Sequence, residues 1–205
     1  MLMVSVGYAN TRPAGLNIRG IQDSMAELMT VGELASYLRV TEKTVYRLLK
    51  RGLLPATKVG RQWRFDKALV DGWLRQRPVE AKASILVVDD EQSIRLMFKQ
   101  TLEELGHRVE VAESSLKGLE LVKQRNFDMV FLDLKMPMMD GAELFRQIKA
   151  LRPKLPVIII TGYPDSEIMA RALSLGPFGV MNKPFSASDI ITAVNTFVQF
   201  TAPKV

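Results

Sequence analysis

Residues 84–205 predict an α/β fold: a five-stranded, doubly wound parallel sheet, behind a small N-terminal winged helix-turn-helix module. Three observations carry this expectation. Five short runs rich in Val, Ile, Leu and Phe alternate with amphipathic segments, the pattern of a parallel sheet covered on both faces. Residues 29–77 read instead as helix, helix, hairpin, helix. The charge also divides: residues 1–83 carry 14 Lys/Arg against 7 Asp/Glu, whereas residues 84–205 carry 14 against 15. Two such compositions imply different partners, with the basic one a candidate for nucleic acid.

The elements follow in order. Residues 1–28 show no sustained period and read as a flexible leader, with Met25 and Met29 as alternative starts. Thr30 followed three residues later by Glu33 is a capping-box pattern, and Val31, Leu34, Ala35 and Leu38 continue at helical spacing. Thr41 caps a second helix with Val45, Leu48 and Leu49 on its buried stripe, ended by Gly52. A hairpin follows around Gly60-Arg61, where glycine in first place suits a type II′ turn. Asp66 caps a third helix. Trp63 and Trp73 read as core anchors, and residues 78–83 as a linker.

In the second half the strands are "SILVVDD", the weaker "HRVEVA", "DMVFLD", "LPVIIIT" and "FGVMN". Helical segments cover 91–105, 114–125, 141–151, 165–175 and 186–199.

Composition excludes several chemistries. The 205 residues contain no cysteine and one histidine, His107. Disulfides, thiol catalysis and cysteine-ligated zinc are out, a Ser-His-Asp triad is disfavoured, and a reducing compartment is expected. No apolar run approaches about 18 residues, and the N-terminus does not read as a signal peptide. A cytoplasmic protein without a membrane partner is the expectation.

Ligands of a doubly wound sheet sit beyond the carboxyl ends of its strands. Here those ends carry Asp89-Asp90, Asp133, Thr161 and Asn182-Lys183-Pro184. One strand-end aspartate is usually a turn former or a helix cap, but compatible groups at so many ends of one rim exceed that background. Clustered carboxylates repel unless a cation holds them. An oxygen-only ligand set suits Mg²⁺, and with a lysine beside it one carboxylate can act as a nucleophile toward a phosphoryl group.

The stretches "ILVVDDE", "DMVFLDLKMPMMDG", "PVIIITGY" and "NKPF" resemble the receiver domain of bacterial two-component response regulators, a flavodoxin-like fold. The resemblance implies that Asp133 accepts phosphate from a sensor histidine kinase or a phosphotransfer protein. It further implies that Asp89, Asp90, Asp133 and the Lys135 carbonyl hold Mg²⁺, that Thr161 is the switch hydroxyl, and that Lys183 bridges to the acyl phosphate through a cis Lys183-Pro184 bond. Lys135 and Tyr163 occupy positions that tune phosphoryl lifetime in the family. Turnover is limited to slow autodephosphorylation, so an enzyme in the ordinary sense is not expected. A phosphatase of the haloacid dehalogenase type needs Asp-x-Asp, and Leu134-Lys135 follows Asp133 instead.

Two positions depart from the family. Val180 stands where an aromatic is usual, with Phe178 expected on the same strand face as its nearest substitute. Pro177-Phe178-Gly179 replaces the common Ala-x-Asp. The usual coupling of threonine to aromatic is therefore in question, and an atypical, phosphate-independent regulator is one alternative.

In the basic half, a helix-turn-helix places its second helix in the major groove. Lys43, Thr44, Arg47, Lys50 and Arg51 are expected to project outward from it, with Lys58, Arg61, Gln62 and Arg64 along the wing. The shared "TVYRL", "GLLPATKVG" and "WRF" make residues 29–75 similar to the excisionase-type helix-turn-helix family. The combined expectation is a response regulator that binds double-stranded DNA through residues 29–77 and controls transcription through residues 84–205. Homodimer formation on phosphorylation is implied by the family. The alternative output is an architectural, excisionase-like DNA binder gated by the receiver.

Overall fold

The computed structural model describes residues 28–75 and 82–201. The expected leader, apart from Leu28, and residues 78–81 of the expected linker lie outside the described residues. The N-terminal part runs β1 (Leu28–Met29), α1 (Val31–Leu38), α2 (Glu42–Lys50), β2 (Thr57–Val59), β3 (Gln62–Asp66) and α3 (Lys67–Arg75). The caps are those the sequence predicts. Thr30 and Glu33 form a complete capping box on α1, and the Thr41 hydroxyl accepts from the Thr44 amide at the start of α2. The Asp66 carboxylate accepts from the Ala68 amide at 2.8 Å. Gly52 and Gly60 both have positive φ, where a β-carbon would be strained. β1 was not predicted: two residues are too short to show a period, yet they pair antiparallel with β3 through Leu28↔Asp66 and Met29↔Phe65.

The C-terminal part runs β4 (Ser84–Val88), α4 (Gln92–Glu104), β5 (Arg108–Ala112), α5 (Ser115–Gln124), β6 (Met129–Asp133), α6 (Gly141–Leu151), β7 (Val157–Thr161), α7 (Glu167–Ser174), β8 (Gly179–Asn182) and α8 (Ala187–Thr201). All five strands are parallel, in the order β5-β4-β6-β7-β8. Alternate strand residues serve two separate cores. Ile85, Val87, Phe131 and Ile160 pack with Phe98 of α4 and Phe197 of α8. Leu86, Val88, Leu132 and Ile159 pack with α5, α6 and α7. Strand order reverses between β5 and β6 on either side of β4, so the crevice lies beyond Val88 and Asp133.

The N-terminal module is not suspended from a linker. Its core is continuous with the α8 side of the sheet. The Phe178 carbonyl, just ahead of β8, accepts from the Thr41 amide at 3.1 Å and from the Thr44 hydroxyl at 2.7 Å. Arg39 pairs with Asp189 at 2.5 Å, Gln199 donates to the Trp73 carbonyl at 3.0 Å, and Arg51 donates to the Phe200 carbonyl. A β-carbon on Gly179 would lie 2.1 Å from the Arg39 carbonyl oxygen, so the chains approach this closely only because that residue is glycine.

Three expectations are corrected here. Thr44 does not project toward solvent but is fully buried against the C-terminal part. Arg51 is turned onto Phe200 rather than outward. Phe178 does not share a face with Val180: it packs edge-to-face with Phe197 and Phe200, at 6.1 and 5.3 Å, while Val180 packs into the opposite core. Phe178 precedes the first paired residue of β8, so the two-residue strand period does not extend to it. The unusual Pro177-Phe178-Gly179 segment is thus the seat of the N-terminal module.

Candidate functional site

β4 and β6 end side by side, which brings Asp89 and Asp133 together at the carboxyl rim. Oxygen atoms of Asp89, Asp90 and Asp133 lie within 4.8 Å of one another. Asp89 is fully buried and Asp133 is 4% exposed, while Asp90 faces solvent. Lys183, just past β8, reaches across the rim. Its ammonium lies 3.1 Å from Asp89 Oδ2, 2.7 Å from Glu91 Oε1 and 3.5 Å from Asp133 Oδ1. The Lys183–Pro184 bond is cis, as the resemblance implies. Asp90, Glu91, Asp133 and Lys183 open onto a cavity of about 690 Å³ that Lys135, Met136, Gly162 and Tyr163 also line.

Burial of the carboxyl, reinforced by the Asp89 charge beside it, raises Asp133 to about 6 in spite of Lys183. Burial also raises Asp89. Burial opposes the charge on Lys183, but Glu91, Asp133 and Asp89 together hold its ammonium above the ordinary lysine value. This is an acid cluster with one half-buried cation and excess negative charge. Asp89 Oδ2 has no hydrogen bond beyond its ion pair with Lys183. An all-oxygen set with an under-used buried carboxylate fits a hard divalent cation.

The loop beyond Asp133 is shaped for this site. Asp140 caps α6 by accepting from the Glu143 amide at 2.9 Å and pairs with Arg171 at 2.6 Å. A β-carbon on Gly141 would lie 2.1 Å from the Asp133 carbonyl oxygen, so a side chain there would displace the strand end that carries the aspartate. Lys135 extends over the Tyr163 ring, 4.4 Å from its centroid, which joins the two residues expected to tune the site. Thr161 is buried, and its hydroxyl accepts from the Tyr163 amide at 3.0 Å. Glu91 is the member that sequence reasoning left without a role. It is the closest partner of Lys183, and its signal was the third acid of Asp89-Asp90-Glu91.

A second polar surface lies on the N-terminal module. Lys43, Tyr46 and Lys50 are exposed on the outward side of α2. Tyr46 lines a groove of about 400 Å³ with Lys58, Arg61, Gln62, Trp63 and Arg64 of the hairpin and with the start of α1. Lys58 lies 5.6 Å above the Trp63 ring, so Trp63 belongs to the groove wall as well as to the core. Arg47 is shared: its guanidinium lies 5.0 Å over the Phe200 ring while the side chain stays open to solvent. Sequence reasoning missed Tyr46. Its position opposite Val45 and Leu48 on the helix was the available signal.

The response regulator receiver domain matches residues 85–195, and a helix-turn-helix domain matches residues 28–78. The chain is 32% identical over 114 residues to sporulation initiation phosphotransferase F of Bacillus subtilis, covering 56% of this chain and 92% of that one. It is 37% identical over 103 residues to the transcriptional regulatory protein ZraR of Klebsiella oxytoca, of which it spans only 23%. Among solved structures, a CheY-like receiver domain from Methanospirillum hungatei superposes with a TM-score of 0.54 at 32% identity, covering 56% of this chain and 91% of that one. A receiver domain from Clostridium thermocellum gives 0.53 at 37% identity, covering 57% and 94%. Among the described residues, no helix is long and apolar enough to cross a membrane.

Proposed function

The chain belongs to the response regulator receiver domain family, and from that premise we propose that it is a DNA-binding regulator switched by phosphorylation of Asp133. The observation that carries this reading is the convergence of Asp89, Asp90, Asp133 and Lys183 at one rim of the sheet. A carboxylate oxygen of Asp133 attacks the phosphorus of a phosphohistidine on a sensor kinase or phosphotransfer protein. The P–N bond breaks, the imidazole takes up a proton, and a mixed carboxylic–phosphoric anhydride forms on Asp133. Asp133, raised only to about 6, is mostly ionised near neutral pH and so available as the nucleophile.

Asp89, Asp90, Asp133 and the Lys135 carbonyl are the groups that would hold Mg²⁺, which when bound neutralises charge on the transferring phosphoryl group. Lys183 supplies a fixed positive charge beside the acceptor oxygen. The Thr161 hydroxyl leaves the Tyr163 amide to bond a phosphoryl oxygen. Slow hydrolysis of the anhydride is the only turnover assigned.

Residues 29–77 bind double-stranded DNA, residues 84–205 receive the phosphoryl group, and residues 78–83 join them. The DNA surface is revised from the sequence expectation. Lys43, Tyr46, Arg47 and Lys50 of α2 act with Lys58, Arg61 and Arg64 of the wing. Thr44 and Arg51 hold the receiver instead. Work in the cytoplasm and self-association on phosphorylation belong to the same reading.

Genome-wide DNA pull-down with and without phosphorylated Asp133 tests it. The expected result is a set of promoter sites whose occupancy changes with phosphorylation. Identical occupancy in both states would overturn phosphorylation control. Sites that bend strongly without any change in nearby transcription would point to the architectural role.

A further inference from the structure

All five strands start at the rim opposite Asp133, and that rim is basic where α2 meets it. The Lys43 ammonium of α2 reaches over Gly176 in the loop before β8. Arg47 lies on the Phe200 ring. On its other side Phe200 lines an open groove together with Arg152 and Lys154, from the loop between α6 and β7. Lys149, at the end of α6, donates to the carbonyls of Pro153 and Leu155 in the same loop. Burial lowers the pKa of Lys149, and the Arg47 and Lys43 charges lower it further, which places module and receiver cations within each other's field.

Acids offset this band only in part. Arg125 pairs with Glu110, and the Asp128 carboxylate, which accepts from the Ser84 amide, is one negative charge in the same groove. Among the described residues, Lys43, Arg47, Lys149, Arg152 and Lys154 form no ion pair. Like charges drawn together by docking oppose it, unless a polyanion lies across them. The band is continuous with the outward side of α2, the side assigned to the major groove.

We propose that the receiver is itself part of the DNA-binding surface: Arg152 and Lys154, with Lys149 behind them, hold the phosphate backbone beside the segment that α2 and the wing engage. The inference rests on the DNA-binding reading above. Because this rim is at the opposite ends of the strands from Asp133, a kinase can reach the acid site while DNA is bound. Contacts of this kind are sequence-independent and salt-sensitive, each phosphate neutralised contributing about 0.9 to the log–log salt slope.

The test uses the full chain and double-stranded DNA recovered by pull-down, with affinity measured across a salt series. Arg152→Gln with Lys154→Gln removes two exposed charges and is expected to weaken binding to all DNA sequences alike, reducing the slope by about 2. Lys58→Gln with Arg61→Gln is the wing control, and Asp133 labelling by a small phosphodonor checks that each variant is folded. A wing variant that lowers the slope beside a receiver variant that matches wild type would overturn this inference and leave the DNA-binding reading intact. A weaker receiver variant with an unchanged slope would also overturn it. A wild-type chain that binds no DNA would sink both.

Discussion

Replacing Gly179 by alanine tests the docked arrangement at its tightest point. The added β-carbon would lie 2.1 Å from the Arg39 carbonyl oxygen and 3.1 Å from both the carbonyl carbon and Val40 Cα. A carbon–oxygen contact needs roughly 3.3 Å, so the module must retreat by about 1 Å. That carries the Thr44 hydroxyl and the Thr41 amide, now 2.7 and 3.1 Å from the Phe178 carbonyl, beyond good hydrogen-bond geometry. Two such bonds are worth about 1 kcal/mol each. The expected loss is about 2 kcal/mol of docking. Both tryptophans, Trp63 and Trp73, lie in the module, so urea unfolding followed by tryptophan fluorescence reports the module while circular dichroism reports the whole chain. Wild type is expected to show coincident transitions. Gly179→Ala is expected to unfold its module at about 1 M lower urea, with the two probes separating. Gly72→Ala, where nothing lies within 4 Å of the new carbon, is the control. A Gly179→Ala chain with one transition at the wild-type midpoint would refute the reasoning.

Other outcomes follow from the two surfaces. Asp133 holds its proton more tightly when folded, near 6, than the ordinary value of 3.8. The metal-free chain should therefore lose stability as pH rises from about 4 to 6 and level off above. Asp133→Asn should be more stable than wild type above pH 6 by up to about 3 kcal/mol, equal to it below about pH 4, with Mg²⁺ erasing the difference. Urea midpoints across pH check this, and parallel pH profiles would contradict it. Tyr46→Ala should weaken DNA binding without moving the unfolding midpoint. Thr44→Val should do the reverse, destabilising the chain by about 1–2 kcal/mol with an unchanged salt slope for DNA. The two titrations, run side by side, separate a groove residue from a docking residue.

The sheet and its rim were legible because β4, β6, β7 and β8 are each a nearly unbroken apolar run that stops at a polar residue, as Asp89 after Val88 and Asp133 after Leu132. Helix caps were equally plain, since Thr30, Thr41 and Asp66 are local signals. What stayed hidden was contact between the two halves. Helical spacing identifies Val45 and Leu48 as the module's own core, but it cannot show that a second surface covers Thr44. β8 is only four residues long, Gly179–Asn182, and Phe178 lies just outside it, so strand alternation does not place that ring. The departures at Pro177-Phe178-Gly179 and Val180 were visible as departures. Only the geometry turns the first into a docking seat, with Gly179 under the Arg39 carbonyl. Glu91 and Tyr46 were each one step from a residue already assigned.

The central claim is that Asp133 is the phosphoacceptor, held for that role by Asp89, Asp90 and Lys183. Incubating the full chain with a small phosphodonor and Mg²⁺, then locating the added mass by peptide mapping, tests it most directly. One phosphoryl group on Asp133 is expected, lost on chelation of Mg²⁺ before the donor is added and absent in Asp133→Asn. A folded wild-type chain that stays unlabelled, or a label that persists in Asp133→Asn, would contradict the account.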